Sequence, residues 1–115
     1  MKAQTEHPAP QPAIHPLVAE KLPQVRELCR KHHVRTLWLF GSAAQGGFDP
    51  AKSDLDFAVD YLPETTYGFD GDWFVLKESL EDLFDRKVDL VAVEAIRNRF
   101  FREEVEETRV ELYAA

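Results

Sequence analysis

Three aspartates and one Gly-Ser turn stand out by residue type and spacing. Gly41-Ser42 follows the apolar run 37–40, Asp54 and Asp56 come after eleven intervening residues, and Asp89 lies within VDLVAV at 88–93. Small residues after a strand let a ligand approach the backbone, so N–H groups and the Ser42 hydroxyl can donate to phosphate oxygens. The spacing is not that of a Walker A or dinucleotide loop. On a strand, the i, i+2 pair projects both carboxylates from one face, about 7 Å apart at Cα. Such hard oxygen ligands suit magnesium, and ions bridged by shared aspartates clamp the attacking and leaving oxygens of an in-line displacement. The bland alternative for Asp54 and Asp56 is a solvated acidic face. Asp89, if buried alone in an apolar strand, would cost on the order of several kcal/mol. It reads either as a third ligand and the base for an acceptor hydroxyl, or as a strand-end Asp paired with Arg86 or Lys87.

These residues need elements to hold them. Leu22, Val25, Leu28 and Cys29 recur at helical spacing, which predicts a helix over 17–32, re-initiated at Pro23. VRTLWLF, 34–40, has apolar residues on both faces, as a central strand requires. Over 54–61, Leu55, Phe57 and Val59 alternate with Asp54, Asp56, Ala58 and Asp60, a half-buried strand with an acidic face. Trp73, Leu76, Leu80, Leu83 and Phe84 predict a helix over 70–86; a strand at 88–93, a charged helix over 94–107 and a strand at 109–113 follow. The order αββαβαβ predicts an α/β (α+β) fold, with a small mixed sheet of about four strands flanked by helices.

Pro8, Pro10, Pro12 and Pro16 mark residues 1–16 as a flexible or polyproline-like leader, with one folded domain over 17–115. The chain has 115 residues and a formal net charge of −7. Residues 49–89 carry 12 acidic and 4 basic side chains and so hold the whole excess. That balance argues against direct nucleic-acid binding and against an RNA-tailing groove. The single cysteine, Cys29, excludes an internal disulfide, and the longest apolar runs are four residues, so a cytoplasmic protein without a membrane span is expected. Cys29, His32 and His33 share a helical face, but no fourth ligand closes a zinc site, and a polar cluster is expected there. Arg97, Arg99 and Arg102 read as a solvated face shared with Glu103, Glu104, Glu106 and Glu107. Tyr61, Tyr67 and Phe69 flank a loop and either cover the core or stack on a base.

Gly41-Ser42, Asp54-x-Asp56 and a later strand Asp89 together resemble the minimal nucleotidyltransferases (MNT) of the DNA polymerase β-type superfamily, over about 17–113. The resemblance implies that fold, and magnesium-dependent transfer of a nucleoside monophosphate from a nucleoside triphosphate to a hydroxyl, with loss of pyrophosphate. By matching position Gly41 and Ser42 would hold the triphosphate; Lys52, as a partial substitute for a cation absent at Gln45, and Ser53 are the further candidates for nucleotide binding. Asp54, Asp56 and Asp89 would be the catalytic and metal-binding residues. Small members similar to this one are commonly antitoxins of HEPN/MNT toxin–antitoxin pairs. The implied role is adenylylation, from ATP, of a tyrosine in a helical HEPN toxin, within a homo-oligomer or hetero-complex. Gln45 stands where the family often has Arg. It motivates the alternative of a non-catalytic module that neutralises its partner by occlusion.

Overall fold

Two prolines and two left-handed residues punctuate the helices. The computed structural model describes residues 14–45, 49–65 and 71–115. Pro16 opens α1 (Pro16–Ala19), and Pro23 lies in the first turn of α2 (Leu22–Lys31), so the predicted helix is built as two pieces. His33, with φ 61°, turns the chain into β1 (Val34–Phe40). Gly41 leads to a one-turn helix α3 (Ser42–Gln45), and β2 (Leu55–Tyr61) follows. Asp85, at φ 51°, ends α4 (Asp72–Phe84) and leads into β3 (Val88–Ala92). A 3₁₀ turn over Val93–Ala95, α5 (Arg99–Thr108) and β4 (Val110–Ala114) complete the chain.

The four strands form one mixed sheet in the order β3-β2-β1-β4. β1 is antiparallel to both β2 and β4, and β3 is parallel to β2. A parallel neighbour requires a crossover, which α4 supplies. The expected α+β class and the central place of β1 are what the chain adopts.

The larger core lies on one face of the sheet. There Leu37, Leu39, Leu55, Phe57, Val59, Val88 and Leu90 meet Val25 and Cys29 of α2 and Leu76, Leu80 and Phe84 of α4. Burial pushes the Cys29 thiol up to about 12, so this sulfur is a packing atom rather than a nucleophile. On the opposite face Phe40 and Ala58 are buried beneath Val105 and Phe101 of α5. The acidic face expected of the half-buried β2 is partly covered: Ala58 is fully buried, and α5 packs over it and over Phe40, the neighbour of Asp56.

Both sheet edges are engaged by helix side chains. The Trp73 indole N–H donates to the Leu90 carbonyl (3.1 Å), and the Val88 N–H donates to Glu81 (3.2 Å). Across the sheet, Arg26 Nε donates to the Leu112 carbonyl (3.1 Å).

The last helix starts later than its periodicity predicts. Ile96 is buried between the 3₁₀ turn and α5, and Asn98 caps the helix by accepting from the Phe101 N–H (3.1 Å). Most of the predicted leader, residues 1–13, and the aromatic pair Tyr67 and Phe69 lie outside the described residues. Within them Ile14 packs against the core, and the His15 N–H donates to the Ala43 carbonyl (3.1 Å). Among the described residues no helix is long and apolar enough to cross a membrane.

Candidate active site

Asp56 sits in β2 directly beside Asp89 of β3, in parallel register, and opposite Phe40 of β1. Asp54, exposed, lies one residue outside β2. The structure thus brings the three aspartates to one end of the sheet. Asp89 is exposed, which corrects the premise of a buried strand carboxylate: β3 is an edge strand, and none of the described residues covers that position. Its proposed pairing with Arg86 does not form either. Among the described residues none of the three aspartates makes an ion pair.

The unpaired charges act on one another. Partial burial, and then the charges of Asp89, Asp54 and Glu104, raise the Asp56 carboxyl from its ordinary 3.8 to about 6. Glu104 comes from α5 and is the member that sequence reasoning missed, because its spacing assigns it to a solvated helix face. No local signal ties it to Asp56.

Gly41 has a physical reason to be glycine. Its φ is +75°, and a Cβ built there would stand 2.5 Å from Asp56 Oδ2. The turn backbone therefore passes against the central carboxylate, with the half-buried Ser42 next in the chain. Lys52 is exposed, whereas Ser53 works inside its own loop: its hydroxyl accepts from the Asp49 N–H (3.0 Å) and its N–H donates to the Asp49 carbonyl (2.8 Å). Arg86 fastens that loop to the start of β3, donating from Nη1 to the carbonyls of Pro50 (2.9 Å) and Ser53 (3.4 Å). One guanidinium thus links the segment delivering Asp54 to the strand delivering Asp89.

The polar cluster expected around Cys29, His32 and His33 exists without the thiol. His32 and His33 meet the two oxygens of Asp72 at the start of α4, at 3.4 and 2.9 Å. It ties α2 to α4 and lies apart from the aspartates.

Residues 23–115 match the family described as Polymerase beta, Nucleotidyltransferase. The chain belongs to this family. This nucleotidyltransferase is 32% identical over 94 residues to "Putative protein adenylyltransferase MJ1379" of Methanocaldococcus jannaschii, an alignment covering 75% of the chain and 92% of that relative. A solved structure described as a minimal nucleotidyltransferase superposes with TM-score 0.67 at 30% identity, covering 81% of this chain and 90% of its own. A Shewanella oneidensis complex, a tri-AMPylated HEPN toxin with an MNT antitoxin, shares the fold at TM-score 0.61 and 21% identity, over 84% and 72% of the two chains.

Proposed function

We propose that this nucleotidyltransferase moves AMP from ATP to a protein hydroxyl with magnesium, that the acceptor is a tyrosine of a helical HEPN-type toxin, and that the chain acts as its antitoxin. The in-register Asp56–Asp89 pair, with Asp54 beside it and the Gly41 backbone against Asp56, is the observation that carries this reading. The name of the archaeal relative and the tri-AMPylated complex of the Shewanella antitoxin support the acceptor class. A cytoplasmic setting, with its ATP and reducing conditions, accords with a single buried thiol.

Asp54, Asp56 and Asp89 would hold the magnesium. Among the described residues no three acidic, His or Cys side chains stand close enough together to hold an ion. An open set of carboxylate oxygens nevertheless fits magnesium, which keeps several waters and completes its shell with substrate phosphates. After burial, repulsion from Asp89, Asp54 and Glu104 raises the Asp56 carboxyl, and a bound cation would offset that repulsion. When bound, the ion offsets the triphosphate charge and stabilises charge building on the transferred phosphoryl group.

The chain's own groups do the rest. The Gly41–Ser42 turn, with Lys52 and Ser53, receives the triphosphate, and the absence of a Cβ at 41 leaves the turn room against Asp56. Asp89, open to solvent, takes the proton of the acceptor hydroxyl as its oxygen bonds to the α-phosphorus and the bond to pyrophosphate breaks. Intact-mass measurement of the toxin after incubation with the chain and Mg-ATP tests this. The wild type should add AMP mass and Asp89→Asn should not; equal spectra for both would sink the reading.

The Arg86 clamp adds an expected result. Arg86→Met should raise the magnesium concentration for half-maximal rate about tenfold, with Arg86→Lys in between, because the segments that orient the acids loosen. An unchanged magnesium titration would show that the clamp serves only the fold.

A further inference from the structure

Phe100 is the one large hydrophobic side chain left strongly exposed among the described residues, at 74%. It lies in the first turn of α5, which the Asn98 cap holds in place. Its neighbour Phe101 packs edge-on against Phe40, with ring centroids 5.9 Å apart, and Phe40 stands opposite Asp56 in the β1–β2 register. The start of α5 is therefore one ring removed from the acidic cluster. Phe100 and Glu104 are four residues apart and share a flank of the helix, and Glu104 is the α5 residue whose charge reaches Asp56.

One cation stands against this ring, and two more arginines lie nearby in the chain. The Arg99 guanidinium lies over Phe100, 5.7 Å from its centroid. Arg97 and Arg102 each donate from one guanidinium nitrogen to a carbonyl, of Glu94 (2.9 Å) and Ile96 (2.7 Å), and remain exposed. Arg99 and a bare aromatic thus stand together at the start of α5, with Arg97 just before the cap and Arg102 on the other flank of the helix.

We propose that Phe100, Arg97 and Arg99 form the surface that docks the acceptor protein, through a segment in which an apolar side chain and acidic residues flank the acceptor hydroxyl. This rests on the protein-adenylyltransferase reading and adds the chemistry of the acceptor. An aromatic anchor with arginines is the composition of binding hot spots, and charge complementarity sets orientation. A nucleic-acid strand would also meet a ring and cations, but its phosphates would run on into Glu103, Glu104, Glu106 and Glu107 of the same helix. A short acidic segment ends at the arginines.

The test uses the full chain saturated with magnesium and a non-hydrolysable ATP analogue, and reads binding by fluorescence anisotropy. Its probes are a tyrosine peptide flanked by leucine and glutamates, the same peptide with lysines for glutamates, and a single-stranded oligouridylate. The acidic peptide should bind about tenfold tighter than the lysine peptide, and Phe100→Ser should weaken it about tenfold. The double variant Arg97→Ser/Arg99→Ser should erase the preference. Melting temperature and analogue affinity should not change, since all three side chains are exposed. No binding of the acidic peptide, equal binding of the two peptides, unaltered affinity in the variants, or tighter arginine-dependent binding of the oligonucleotide each overturns the proposal. The reaction is judged apart, by AMP transfer to the acceptor. Binding that depends on Phe100 without any transfer removes the reaction and keeps the surface; transfer indifferent to Phe100 does the reverse.

Discussion

Asp56→Asn should abolish AMP transfer, by about a thousandfold or more, and at the same time raise the melting temperature of the metal-free protein at neutral pH. The two effects have one cause. The folded site holds the Asp56 carboxyl at about 6 against an ordinary 3.8, so between these values the folded state binds more protons than the unfolded one. Stability contributed by this group is present at low pH, declines as pH rises through that window, and is fully lost above about 6. A shift of this size corresponds to at most roughly 3 kcal/mol, and solvent screening of a half-exposed group reduces it to about 1 kcal/mol. For a domain of this length that is about 4 °C. The variant's advantage should be widest above pH 7 and should close towards pH 4. Added magnesium should stabilise the wild type and leave the variant nearly unmoved. Thermal scans at several pH values, with and without magnesium, check all of this; a variant less stable than wild type at pH 8 without metal would contradict the electrostatic origin.

Gly41→Ala should be nearly as damaging to activity for a steric reason. The added methyl would stand 2.5 Å from Asp56 Oδ2 and 3.3 Å from its Cγ, in a backbone conformation that L side chains rarely adopt. The left-handed conformation costs about 1 kcal/mol, and the contact is relieved only by moving the turn or the carboxylate. Displacing a reacting group by about 1 Å is enough for roughly a hundredfold loss in rate. The double variant Gly41→Ala/Asp56→Asn should be scarcely less active than Asp56→Asn alone, because both changes act on one group. Full activity in Gly41→Ala would show that the turn does not abut the reacting centre.

Much of this was legible in the sequence where the signal is local. The stripe Trp73, Leu76, Leu80, Phe84 gave α4, the alternation of Leu55, Phe57 and Val59 gave β2, and apolar residues on both faces put β1 inside the sheet. Gly41 and the three aspartates stand out by type and spacing, and the fold brings them to one end of the sheet. What escaped depends on contacts between distant segments. Ala58 reads as part of a polar alternation because the roof over it, Val105, is 47 positions away. Glu104 looks like any solvated helix carboxylate until α5 is laid beside β2. Asp89 is exposed rather than buried because β3 lies at an edge, and the apolar run VDLVAV does not mark it as an edge strand. The meeting of His32 and His33 with Asp72 spans some 40 residues and leaves no local trace.

The helix side chains bonded to the outer strands limit how this protein can meet others. An unpaired strand offers its backbone to any extended segment that passes, which is how sheets grow across molecules. Here Trp73 and Glu81 occupy backbone groups of β3, and Arg26 occupies one of β4. A visiting strand would have to displace an indole, a carboxylate or a guanidinium to reach those groups. Recognition is thereby steered to side chains on helices, where a partner can be gripped and released while the scaffold under the aspartates keeps its register.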